Sequence, residues 1–135
     1  MAKTETYYAD IKLLLRIPGI GLITGMAFLT QIETISRFPS TDSLACYLGL
    51  VPNCYSSGDK ENAGEMTSRT NKWLLTLLVE AAWKTAAHDP ALHQTYLQLC
   101  KRMKPNNAII RIARKLLNRI YYVLKYRREY ETGTV

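Results

Sequence analysis

Few residues in this 135-residue chain have the type and setting to do chemistry. Ser57 stands directly before Gly58 in the polar, turn-rich stretch Val51-Pro52-Asn53-Cys54-Tyr55-Ser56-Ser57-Gly58-Asp59. A serine on a flexible turn, with cations near, can present its hydroxyl as a nucleophile. Taken alone it reads first as a turn serine bonding its own backbone, and no G-x-S-x-G elbow surrounds it. His88 and His93 lack the spacing of helix-borne metal ligands and read as surface or cap residues. Asp59, Glu61 and Glu65 form no paired acid–base arrangement. Cys46, Cys54 and Cys100 form no CxxC pair, which excludes a zinc ribbon and a disulfide scaffold and suggests reduced thiols.

The cations carry more information. Residues 101–128 hold ten basic side chains and no acidic one, whereas residues 1–100 hold eight basic and nine acidic ones. The net charge of +7 therefore comes from one block. Such a block makes a positive field that attracts polyanions, and nucleic acid is the first partner to consider. An anionic membrane fits less well, because the apolar residues of this segment have the spacing of a core face. The candidate phosphate contacts are Arg111, Arg114, Lys115 and Arg119 on the last helix, with Lys60, Arg69 and Lys72 around the serine stretch. A second candidate contact is Ile17-Pro18-Gly19-Ile20-Gly21. Two helices joined by such a hairpin can aim backbone N–H groups and a helix dipole at a phosphate, with Gly19, Ile20 and Gly21 at the point of approach. A plain helical turn with two glycines is the alternative.

These residues need elements to hold them, and the pattern is mainly α: a compact helical domain beginning with a helix-hairpin-helix over 5–33. Helices are expected over 5–15 and 22–32, with Pro18 breaking the first. Ser40 is a candidate N-cap for a helix over 41–48, and Gly49 suits its C-terminus. Residues 50–70 read as one long irregular loop or small β-hairpin carrying the serine. A helical core follows over 71–128. Its first helix, 71–87, is apolar on most sides, Trp73 and Trp83 included, and is expected to be central and buried. Asp89-Pro90 starts the next helix and Pro105 the last. In the last helix Ile109, Ile112, Ala113, Leu116, Leu117, Ile120, Val123 and Leu124 recur at helical spacing, opposite the basic stripe. The whole chain reads as one domain. The apolar run Leu22–Thr30 is too short to span a bilayer, and Lys3, Glu5 and Asp10 interrupt any leader, so a cytoplasmic location is expected.

Several motifs fall in the order of one family: Leu14-Leu15-Arg16-Ile17-Pro18-Gly19-Ile20-Gly21, Phe38-Pro39-Ser40, Tyr47-Leu48-Gly49-Leu50-Val51-Pro52, Tyr55-Ser56-Ser57-Gly58, Asn71-Lys72-Trp73-Leu74 and Ala113-Arg114-Lys115-Leu116-Leu117. Over about residues 11–128 the chain resembles the C-terminal transposase domain of the bacterial DEDD insertion-sequence transposases, the bridge-RNA-guided serine recombinases. The resemblance implies that Ser57 is the nucleophile, attacking a DNA phosphodiester to leave a phosphoserine link. It further implies a separate RuvC-like domain that holds Mg2+, no cofactor in this chain itself, DNA and a guide RNA as partners, and a homo-oligomer (dimer or tetramer) as the active assembly. Within these 135 residues no RuvC-like segment can be read. The sequence also departs from the family pattern at Ser68 and Thr70, where Lys and Gly are common, and at Leu75, where Arg is common; Arg69 and Lys72 stand in as cations. Three functions follow as expectations: the serine-bearing half of a transposase, a non-enzymatic nucleic-acid-binding module or decayed remnant, and a helical assembly module.

Overall fold

In the computed structural model the described residues form six α-helices: α1 (Ala2–Leu15), α2 (Leu22–Ile32), α3 (Thr41–Leu48), α4 (Lys60–His88), α5 (Pro90–Leu99) and α6 (Pro105–Tyr126). The structure describes residues 2–50 and 60–130, with side chains over 7–50 and 72–130. Among the described residues there is no strand, and Ile35–Arg37 forms a 3-10 turn.

Helix ends follow local chemistry. Ser40 caps α3, its Oγ accepting from the Ser43 N–H at 3.2 Å. Gly49 closes α3 at φ 80°, a left-handed position that glycine takes without strain. Asp89 caps α5 by accepting from the Ala91 and Leu92 N–H groups, and Pro90 occupies the first turn, where its missing N–H costs nothing. Pro105 opens α6 in the same way.

α4 and α6 form the centre. α4 packs against α2, α3, α5 and α6, and α6 also touches α1, α3 and α5. The buried stripe of α6 includes Ile109, Ile112, Leu116, Leu117 and Ile120, and it meets Leu74, Leu78, Ala81 and Ala82 of α4 in one apolar cluster with α1–α3. The small residues Ala81 and Ala82 fall where α4 is most enclosed.

Three expectations change. The irregular loop or hairpin over 50–70 gives way, from Lys60 onward, to helix: residues 60–70 are the first turns of a 29-residue α4. That stretch has no apolar periodicity to announce a helix, but Lys60, Glu61, Ala63, Glu65 and Met66 are good helix formers, and extending a formed helix avoids the cost of nucleation. Residues 51–59, Ser57 among them, lie outside the described residues. α4 is central as expected, yet Trp73 is 51% and Trp83 42% exposed. Trp83 rests edge-on against Tyr96 of α5 rather than entering the core. Lastly, the cysteines are not all reduced: Cys46 is disulfide-bonded, while Cys100 is free.

Candidate nucleic-acid interface

The basic stripe of α6 does not act as one surface. Arg119 turns inward. Its Nη1 donates to Asp89 Oδ2 at 2.7 Å and to the Tyr130 hydroxyl at 2.5 Å, and Tyr130 in turn donates to Asp89 Oδ2. Asp89 is fully buried, and its other oxygen caps α5. A carboxylate so enclosed needs a cation, because an unpaired buried charge is costly. Arg119 therefore joins α6, the start of α5 and the chain's last described residue. Burial and the Asp89 carboxylate push the Tyr130 phenol up to about 12. Arg127 pairs with Asp10 of α1 at 2.8 Å, and burial nonetheless holds the Asp10 carboxyl above its ordinary value.

Arg111, Arg114 and Lys115 remain on the outer face, where α5 and α6 lie side by side. Between the two helices runs a groove of about 750 Å³, lined by Gln94, Thr95, Gln98, Leu99, Arg102, Arg111, Arg114, Lys115 and Asn118. Four of these nine carry a positive charge and none a negative one. Arg114 Nε donates to Asn118 Oδ1 at 3.2 Å, and its Nη2 meets Asp42 of α3 at 2.5 Å. Arg114 is thereby held in one orientation, while Arg102, Arg111 and Lys115 make no ion pair among the described residues. Unpaired cations beside amide and hydroxyl groups suit the oxygens of a phosphodiester chain. Arg102 belongs to the basic block and Asn118 to the polar stripe of the last helix, whereas Gln94 and Gln98 of α5 are not marked by the sequence pattern as groove residues. The i,i+4 pair Gln94 and Gln98, both outside the α5 core positions, is the signal that could have found them.

The hairpin between α1 and α2 is turned differently from the expectation. Gly19 has φ 98°, and a Cβ built there would lie 2.6 Å from the Ala81 carbonyl oxygen and 2.7 Å from Thr85 Oγ1. The buried Thr85 hydroxyl lies 2.5 Å from the Pro18 carbonyl and 2.8 Å from that of Ala81, so it ties the turn to α4. The missing side chain at Gly19 thus makes room for α4. Ile20 is buried beside it. Only Gly21, the N-cap of α2, is open, with nothing within 4 Å of its Cβ position. Lys72 is exposed on α4; Lys60 and Arg69 lie in the same helix, where only the backbone is described. His88 and His93 are exposed. Among the described residues no group of three or more His, Cys, Asp or Glu could hold a metal, and no helix is long and apolar enough to cross a membrane.

A cation-lined groove between the last two helices has the chemistry to receive a polyanion. Comparison with known proteins narrows this: the chain belongs to the IS116/IS110/IS902 transposase family, whose model matches residues 11–97. It is 30% identical over 121 residues to the transposase for insertion sequence element IS1111A of Coxiella burnetii, covering 87% of this chain and 33% of that protein. It is 38% identical over 69 residues to the transposase for insertion sequence element IS1328 of Yersinia enterocolitica, covering 51% of this chain and 21% of the relative. An insertion element IS110 protein of Streptomyces coelicolor is 27% identical over 117 residues, 86% of this chain and 29% of its own. The chain thus spans a third or less of the length of these relatives. No solved structure matches it.

Proposed function

We propose that this chain is the strand-holding, serine-bearing part of a DNA transposase. The observation that carries the reading is the α5–α6 groove, where Arg102, Arg111 and Lys115 face the solvent without an ion pair among the described residues, beside a half-buried Arg114 held by Asp42. Phosphate oxygens seated there fix the strand without reading its sequence. Ser57 then supplies the nucleophile. Its Oγ attacks phosphorus, the new O–P bond replaces the bond to the 3′ oxygen, and that oxygen leaves and takes up a proton. The product is a phosphoserine link to the 5′ side and a free 3′ hydroxyl. A RuvC-like domain outside these residues is the source of Mg2+, which would stabilise charge on the phosphoryl group. DNA, a guide RNA and further copies of the chain are the partners of this reading. The exposed Trp73 and Trp83 favour self-association, and a sedimentation series that stays monomeric at every concentration would remove that part.

Two measurements test the proposal. Charge reversal at Arg111, Arg114 and Lys115 should weaken duplex binding by at least tenfold and flatten its salt dependence, since each neutralised phosphate contributes a slope of roughly −0.9. Unchanged affinity and slope would reject the groove. With a RuvC-like partner supplied, Ser57→Ala should abolish the covalent protein–DNA adduct. Adduct at wild-type level would take Ser57 out of the chemistry and leave a non-enzymatic binding module.

A further inference from the structure

The face of α6 that carries the groove cations changes character toward its C-terminus. Arg111, Lys115 and Asn118 are followed, at the same helical spacing, by Tyr122 and Tyr126. Both tyrosines are 55% exposed. Their rings stack on each other, with centroids 5.6 Å apart and planes within 15°. The core does not use them, because Ile120, Tyr121, Val123 and Leu124 already fill the buried side of this turn. Tyr122 also lines a cleft of about 210 Å³ together with Thr95, Lys115 and Asn118. Those three residues line the basic groove as well, so the groove and the cleft share a wall that reaches Tyr122, the nearer ring of the pair. Lys125 Nζ lies 5.8 Å from the Tyr126 ring centre, which adds a cation at the far end.

We infer that the Tyr122–Tyr126 pair is a stacking platform for an unpaired nucleobase of a strand whose phosphates occupy the α5–α6 groove. The inference rests on the groove reading and deepens it by naming the form of the strand. In a duplex the base faces are already stacked and only edges and backbone are offered. An aromatic face beside a phosphate-binding groove therefore selects single-stranded or splayed-out nucleotides. Binding through ring faces tolerates any base and adds affinity that salt does not screen, unlike the cations next to it.

The test uses the 135-residue chain, a single-stranded oligonucleotide carrying 2-aminopurine, and its duplex. The double variant Tyr122→Ala/Tyr126→Ala should lose about tenfold or more in single-strand affinity and twofold or less in duplex affinity, with the salt slope unchanged. Quenching of 2-aminopurine should vanish in that variant and persist in Tyr122→Phe/Tyr126→Phe, which keeps the rings. Parallel ribo- and deoxyribo-oligonucleotides identify which strand is preferred, and either preference supports the platform. Equal loss on both strand forms, or an alanine variant that binds like wild type, would overturn it while salt-dependent binding still upholds the groove. A variant changed only in oligomeric state would overturn it too, since the pair would then be a contact between copies. Absence of salt-dependent binding to either form would reject the groove reading and the platform together.

Discussion

Two carboxylates, Asp89 fully buried and Asp10 half-buried, show how differently one residue type can be held. Asp89 caps a helix with one oxygen and meets Arg119 and Tyr130 with the other. Asp89→Ala leaves Arg119 without its partner and α5 without its cap, so denaturant unfolding should show a loss of about 3–5 kcal/mol. Asp10 is the reverse case. Burial raises its carboxyl pKa despite Arg127, so folding disfavours its charged form relative to the unfolded chain. Asp10→Asn, which keeps an acceptor for Arg127, should therefore lower Tm at pH 7 by far less than Asp89→Asn does. Tyr130 gives a pH signature. Its folded pKa of about 12 lies above the ordinary 10, so its contribution is complete below pH 10 and disappears as pH rises through about 12. The stability difference between wild type and Tyr130→Phe should shrink over that window. Gly19→Ala forces a Cβ against the Ala81 carbonyl at positive φ and should cost about 2–4 kcal/mol, read from the unfolding midpoint. At this scale the caps Ser40, Asp89 and Pro90 were legible because they act on adjacent backbone. The destination of Arg119 was not, since its partner lies 30 residues earlier and a helical wheel shows only that it flanks the basic stripe.

Among the elements, α2, α3, α5 and α6 match their sequence patterns, each announced by a stop, a cap or an apolar period. The first turns of α4 were hidden for a physical reason. Residues 60–70 are polar, and Asn62 and Gly64 look like turn residues, yet a helix anchored at Leu74 and Leu78 propagates through them. Gly64→Ala tests this. In a helix it should raise the circular-dichroism helix signal and stability by about 0.5–1 kcal/mol; in a loop it would do neither. The basic face of α6 was legible as a stripe. Its division into an inward anchor at Arg119 and an outward groove at Arg111 and Lys115 depended on α5, which no periodicity in α6 describes.

Across the whole molecule, charge is sorted rather than spread. The acidic residues Asp10, Asp42 and Asp89 each take one arginine from the basic block, at Arg127, Arg114 and Arg119. Those pairs join helices, and three of the cations left over, Arg102, Arg111 and Lys115, line one groove. Nothing in composition alone separates the arginines that build from those that bind. The same pairs have a kinetic corollary. Arg127 holds Asp10 of α1 and Glu129 lies 3.6 Å from Arg16 just past its end, so the last described residues are stitched to the first helix, while Tyr130 ties them through Asp89 to the α4–α5 junction. Both extremities should then open as a single cooperative unit. Loosening the stitch with Arg127→Ala should speed deuterium uptake by α1 amides more than by those of α3, although the substituted atom sits well over a hundred positions further along the chain.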